Sequence, residues 1–424
     1  MNFNTILNRM GVNPDNFINA DNKEIRTSNG FIYQVTQRAD RRECPYCNST
    51  HVVINDYDFV EINCSCSEYL EEVLRIKKVR FLCKTCNRTF TPPIEGIERY
   101  SKISAQVMNS IISYFSKNYT FTQIAERYGL TVARIIQIFD DHFSFVPRRP
   151  LPRVLCIDEI RFHDGQGHKY CCVLYDHDKK EIVDIIQSRQ TAYLDEYFKA
   201  IPLKERSNVQ YFISDMYDGY AHIHSRFFPN AIHIIDLFHI ISQLTTAINK
   251  IRIHVMKTKT HKNSVEYRFM KSHWRYFLCR NDYIPNKYVE PKNSGVAIHF
   301  SDLVFKCLLL DHELMTSYNI LQDLYKYYLR RNFVEAMSFI EYISKRLIDS
   351  DVDELKKVGS TYLKWKVGIS NRISRSQNQI HYTNAIAEGL NNQLKTIIKA
   401  AYGYNNFERF RKRALIIITY KKSR

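Results

Sequence analysis

The sequence predicts a multidomain α/β protein, with small modules at the N-terminus and then a mixed-sheet core interrupted by a long helical segment. Three observations carry this. The 424 residues suffice for about two to four domains of ordinary size. Six of the eleven cysteines fall between Cys44 and Cys86. Between Arg153 and His239 short apolar runs alternate with turn residues and amphipathic segments, whereas 241–378 is patterned almost throughout as helix.

Composition narrows the function. Apolar residues make up 45% of the chain, enough for real cores. No run of 18 or more apolar residues exists, so a membrane span is not expected. The start, Met1-Asn-Phe-Asn-Thr-Ile6, has no basic stretch before an apolar one, so export is not expected. Formal net charge is +17 and pI about 9.3. That charge is clustered: nine Lys/Arg against Glu266 between Lys250 and Arg280, and nine against Glu408 between Gly389 and Arg424. A polyanion partner follows, nucleic acid first.

The first 43 residues are weakly patterned. Ile6-Leu7 and Phe17-Ile18 suggest a short helical lead-in. Then come Cys44-Pro-Tyr-Cys47 and Cys83-Lys-Thr-Cys86, two knuckles that supply four thiolates. Without export, disulfides are disfavoured, and paired knuckles read as one structural Zn2+ in a ribbon with a hairpin insert. Cys64-Ser-Cys66 in the insert is spaced too closely for a knuckle and reads as non-ligating, with a swapped ligand as the alternative. Residues 101–141 carry helical spacing. Ala125 is small where two helices cross, Gly129 suits the turn, and Thr131 caps the next helix. That pattern is a helix-turn-helix, with Thr131, Arg134 and Gln137 placed to contact DNA. The plain reading is a helical hairpin.

A Pro-rich basic linker, Phe145 to Pro152, marks a boundary. Beyond it, Arg153–Ile160, Tyr170–Tyr175 and Ile182–Ile186 read as strands, Thr191–Ala200 as a helix, Tyr211–Ile213 as a strand, then a helix to His224 and a strand at Ala231–Ile235. Three strands, helix, strand, helix, strand is the order of a ribonuclease-H-like core. After the helical insertion, Asn384–Lys399 forms an amphipathic helix with Glu388, Asn392, Lys395 and Lys399 on one face.

Asp158 ends the first core strand and Asp215 the fourth, and in such a core those strands are neighbours. Oxygen ligands favour Mg2+ or Mn2+, and two such ions can drive phosphodiester chemistry. Glu388 is the candidate third carboxylate, with Glu159, Asp218 and Asp236 behind it. Lys395 and Lys399 could grip a DNA backbone. Each acid taken singly reads more readily as a cap or turn residue.

These motifs resemble those of DDE transposases of the ISL-three insertion-sequence family over nearly the full length. The matching stretches are Arg80-Phe-Leu-Cys-Lys-Thr-Cys-Asn-Arg-Thr-Phe90, Ile157-Asp158-Glu159, Ser214-Asp215-Met-Tyr-Asp218-Gly-Tyr220, Asp236-Leu-Phe-His239, Ala387-Glu388-Gly-Leu-Asn-Asn-Gln-Leu-Lys395 and Ala401-Tyr-Gly-Tyr-Asn-Asn-Phe407. The resemblance maps the catalytic, Mg2+- or Mn2+-binding acids onto Asp158, Asp215 and Glu388, two ions per site, with Asp236 and His239 in support. It implies hydrolysis at the element ends followed by joining of the 3′-hydroxyls to target DNA. Double-stranded DNA, as terminal inverted repeats and as target, would be the partner, bound by a homo-oligomer in the bacterial cytoplasm near the nucleoid, with no membrane involved. The competing readings are a DNA-binding regulator with a dead catalytic domain and a simple nuclease. The expected layout is a lead-in at 1–43, zinc domain at 44–98, helix-turn-helix at 99–145, core at 153–240, insertion at 241–378 and the rest of the core at 379–424.

Overall fold

The computed structural model describes residues 2–40, 43–65, 70–98, 101–163, 167–291, 295–327, 332–374 and 385–422. They divide into two units, residues 1–147 with 394–424, and residues 148–393.

In the first unit, helix α1 (Phe3–Arg9) is capped by the Asn2 side chain, which accepts from the Asn4 N–H at 3.0 Å. Strands β1 (Phe17–Arg26), β2 (Gly30–Gln37), β3 (Val52–Asn63), β4 (Glu71–Cys83) and β5 (Thr89–Phe90) form one sheet in the order β1-β2-β4-β3, with β5 on β4. Ile6-Leu7 is helical as expected, but Phe17-Ile18 opens a strand. The lead-in is thus two strands of the sheet that carries the cysteine knuckles. Its core joins Ile6, Leu7 and Phe17 to Tyr33, Val35, Leu74 and Ile76, all buried.

Three helices follow: α2 (Ala105–Tyr114), α3 (Phe121–Tyr128) and α4 (Val132–His142). Thr120 and Gln123 form a reciprocal capping box at the start of α3. Gly129 sits at φ +61° between α3 and α4, a conformation that favours glycine. The Thr131 hydroxyl then accepts from the Arg134 N–H at 3.2 Å and starts α4. Ile124, Ala125, Ile135, Ile138 and Phe139 turn inward. The last helix of the chain, Phe407–Lys422, packs on this group through Arg413, which is 1% exposed. Its guanidinium donates to the carbonyls of Phe115 and Lys117 at 2.6 and 3.1 Å, and to that of Tyr119. Those are orphan carbonyls at and beyond the end of α2, so the buried cation closes a helix C-terminus.

The second unit is organised on a sheet of β6 (Val154–Arg161), β7 (Tyr170–Asp176), β8 (Glu181–Ile186), β9 (Tyr211–Ser214) and β10 (Ile232–Ile235), in the order β10-β9-β6-β7-β8. The first three strands are antiparallel, and β9 and β10 run parallel to β6. Helices cover both faces, so central strands read as unbroken apolar runs; Cys171 to Asp176 is buried at every position. Helices α5 (Thr191–Lys199) and α7 (Asp218–Phe227) pack Leu194, Phe198, Tyr220 and Ile223 on Leu155, Ile157, Leu174 and Phe212; the one-turn α6 (Leu203–Arg206) lies between them in sequence.

After β10 the chain is helical: α8 (Leu237–Thr258), α9 (Val265–Ser272), α10 (Phe300–Leu308), α11 (His312–Tyr327), α12 (Phe333–Ile348), α13 (Asp353–Lys364) and α14 (Lys366–Ile373). A two-residue ladder, Tyr288–Val289 with Ile298–His299, is the strand pairing in this region. These helices share one core, which reaches Ile235 of β10. Gly368 makes that approach possible, because a Cβ there would stand 2.7 Å from Ile235 Cγ1. Helix α15 (Ala385–Ala400) follows. Among the described residues no helix is long and apolar enough to cross a membrane.

Candidate active site and metal centre

The two knuckles are built alike. In each, the N–H of the Asn after the second cysteine donates to the carbonyl of the first, Asn48 to Cys44 and Asn87 to Cys83, both at 2.9 Å. Each Asn lies in the left-handed region, at φ 54° and 55°. Asn tolerates that conformation better than most residues, because its short side chain bonds locally. The turns bring the four ligand sulfurs within 4.8 Å of one another. Cys44 and Cys86 Sγ are 3.6 Å apart, as are Cys47 and Cys83 Sγ. A tetrahedron with 2.3 Å metal–sulfur bonds has edges of roughly 3.8 Å, so the spacing fits a bound ion and not a disulfide. The backbone N–H of Cys86 helps hold the Cys83 thiol down, to about 6. Cys64 is buried apart from the cluster, with its sulfur toward the Ile62 carbonyl. Cys66 lies outside the described residues.

Asp215 follows the end of β9, but Asp158 does not end its strand as the sequence suggests: β6 runs on to Arg161 along β7, and only its parallel pairing with β9 stops before Asp158. In the β6–β9 ladder Val154 pairs with Tyr211 and Cys156 with Ile213, an offset of 57 positions. The same offset separates Asp158 from Asp215. Ile232 pairs with Tyr211 across β10–β9, and that offset of 21 separates Asp236 from Asp215. Extending the register puts Asp158, Asp215 and Asp236 in one row across three neighbouring parallel strands. The Asp236 N–H donates to the Ser214 carbonyl at 2.8 Å and continues the ladder to the row. The C-terminal end of parallel strands is where α/β sheets place ligand-binding groups.

Asp158 is held from both sides. Its Oδ1 accepts from the Glu159 N–H at 2.8 Å and its Oδ2 from Asn391 Nδ2 at 2.9 Å. Asp215 Oδ1 is buried without a hydrogen-bond partner. Burial pushes the Asp215 carboxyl up to about 6; His239 pulls it down, and Glu159 and Asp158 push it further up. Burial also raises Asp158, against the Glu159 N–H. An orphaned carboxylate oxygen beside a second raised carboxyl is a site that a cation would relieve.

A family model described as Transposase, of the ISL3 DDE type, matches residues 155–414. The chain belongs to the ISL3 family of DDE transposases. It is also similar to the "Transposase for insertion sequence element IS1001" of Bordetella parapertussis, 21% identical over 342 residues, which cover 80% of this chain and 79% of the relative. The protein is thus a DDE-type DNA transposase.

In this transposase, Glu388 lies in the first turn of α15 and is exposed. Among the described residues, the cysteine cluster is the group of three or more ligand side chains close enough together to hold an ion. What ties α15 to the sheet lies one turn further on: Asn391, 5% exposed, which bonds Asp158 and accepts from the buried Tyr175 hydroxyl. Nothing in the sequence pattern singles out Asn391 or Tyr175 as site residues. Of the other acids, Glu159 is held by Arg189 at 2.8 Å and Asp218 by Lys364 at 2.6 Å. His239 is 4.0 Å from Asp236, one turn into α8. Arg134 and Gln137 bond each other at 2.9 Å on α4, Gln137 exposed, while Lys395 and Lys399 are exposed on α15.

Proposed function

We propose that this transposase cuts the phosphodiester at the ends of an insertion sequence and joins the 3′-hydroxyl ends to target DNA. Asp158, Asp215 and Glu388 would hold two Mg2+ or Mn2+ ions. The observation that carries this reading is the register match of Asp158 with Asp215, with Asp215 Oδ1 unpaired. The strand order β10-β9-β6-β7-β8 is that of a ribonuclease-H-like core and supports the same reading. When bound, divalent ions would activate the attacking oxygen and stabilise the leaving one. The side chains would fix those ions and shield the site: Asn391 and the Glu159 N–H orient Asp158, and burial keeps Asp215 a poor partner for water.

Recognition of the terminal inverted repeats is assigned to α3 and α4, read as a helix-turn-helix, with Thr131, Arg134 and Gln137 at the DNA. The four cysteines would hold one structural Zn2+, since four thiolates leave no open position. Lys395 and Lys399 would contact phosphates. Cleavage of labelled element ends and joining of pre-cut ends, with Asp158→Asn, Asp215→Asn and Glu388→Gln, tests the reading. One site doing both steps means that each variant fails at both. A Glu388→Gln protein that cuts and joins normally removes Glu388, and Asp236, in the row with Asp158 and Asp215, becomes the third ligand to test.

A further inference from the structure

We infer that Asn391 is the positioning residue of Asp158, and that the same side chain seats the helix carrying Glu388 on the sheet. The inference rests on the reading of Asp158 as a metal ligand.

Asn391 is flanked by two fixed groups. Tyr175, fully buried on β7, donates its hydroxyl to Asn391 Oδ1. Asn391 Nδ2 donates to Asp158 Oδ2 at 2.9 Å. This is the orientation in which both bonds form with a charged Asp158. Turned over, the amide would set its oxygen against a carboxylate. The tyrosine, a donor here, therefore sets the amide, and the amide sets the carboxylate.

The result is a half-satisfied ligand. Each oxygen of Asp158 accepts one bond, Oδ1 from the Glu159 N–H and Oδ2 from Asn391. A carboxylate oxygen has two lone-pair sites, so one on each stays available to a cation. Partners of this kind fix the direction in which a ligand points, and losing one typically costs about 10–100-fold in metal affinity or activity. The position in sequence adds a second consequence. Asn391 is three residues, nearly one helical turn, after Glu388 on α15. A single hydrogen bond thus reports whether the helix is seated and whether Asp158 is aimed.

The test is a Mn2+ titration of the full chain without DNA, with the thiolate site loaded, next to thermal melting. Asn391→Leu keeps the approximate volume and removes the amide. It should weaken Mn2+ binding by about 10–100-fold. Tyr175→Phe keeps the ring and frees the amide, and should weaken binding less but in the same direction. Leu390→Ala, a buried packing change on the same helix, should lower the melting temperature and leave the Mn2+ affinity of the folded protein unchanged. Asp158→Asn separates the two ideas. If it binds Mn2+ like the parent, the assignment of Asp158 as ligand fails. If it loses Mn2+ while Asn391→Leu and Tyr175→Phe bind normally, the positioning role is overturned and the ligand stands. A loss in Leu390→Ala equal to that in Asn391→Leu also overturns it. Should Asn391→Leu fail to fold, Tyr175→Phe decides.

Discussion

The cysteine cluster and the sheet carboxylates gather their groups from different distances. Each knuckle is a five-residue turn closed by its own backbone bonds, and two such turns at the ends of β3 and β4 bring four sulfurs together. Asp158 and Asp215 stand 57 residues apart in the chain and are brought side by side by sheet register. The cluster is therefore shaped locally and carries little core of its own; Cys47 is exposed and Tyr46 is 49% exposed. Asp158 and Asp215 are the reverse: they lie against the sheet core, where burial raises both carboxyls. A short motif can thus gather ligand groups by local turns alone, whereas the two aspartates are gathered by the fold.

The largest effect should come from the cysteines. Structural zinc contributes about 10–16 kcal/mol in small metal domains, more than the whole stability of many domains. Cys44→Ser with Cys83→Ser should abolish an expected one zinc per chain and open 44–49 and 83–90 to protease. The sheet core around Leu74 and Ile76 should persist, because it packs independently of the knuckles. Stoichiometric zinc in the double variant would break the comparison at its first term.

Next come the acids. Asp158→Asn and Asp215→Asn should each lower cleavage by roughly a thousandfold, about 4 kcal/mol of barrier, with little change in binding to element ends. Gel-shift and cleavage assays on one DNA read both. A parallel loss of binding would mean that the acids shape the fold and not the chemistry.

Stability should move the other way. With its folded carboxyl at about 6, Asp215 holds its proton more tightly than in the unfolded chain, where about 4 is normal. Its stabilising contribution is complete below about pH 4 and is lost as pH rises through about 6. In chelator, Asp215→Asn should therefore raise stability by about 3 kcal/mol at neutral pH, and the gain should vanish near pH 4. Melting curves across that range would refute the strain if the gain were independent of pH.

The sequence showed what is local and hid what is not. The Cys-x-x-Cys spacing marked the cluster, and apolar runs before Asp marked β6 and β9, although β6 runs on past Asp158 to Arg161 because β7 continues to pair with it. Strand β1 was hidden, because Asn19, Asp21, Asn22, Lys23 and Glu24 are weak strand formers and pairing with β2 decides their state. Asn391 was hidden as well: an Asn-Asn pair on a basic helix reads as surface until Tyr175 is found beneath it. Asp236 stood in a motif, but its place in the carboxylate row needs the register of β10.

The smallest effect tests whether the knuckles are shaped by the chain or by the ion. Asn48 and Asn87 sit at φ 54° and 55°. An alanine in that region costs about 1 kcal/mol, and a glycine avoids the clash. Asn48→Ala and Asn87→Ala should each lower stability by about that much, whereas the glycine variants should melt within about 0.5 kcal/mol of the parent. Chain-shaped knuckles keep the Ala–Gly difference after the metal is removed, because the two left-handed turns are still needed to close the Cys44 and Cys83 bonds. Ion-shaped knuckles lose it, because without metal neither turn would be formed. Melting each pair with and without chelator therefore places the cluster: a difference that disappears in chelator would make the cysteine site as dependent on its ion as the carboxylates are on their fold.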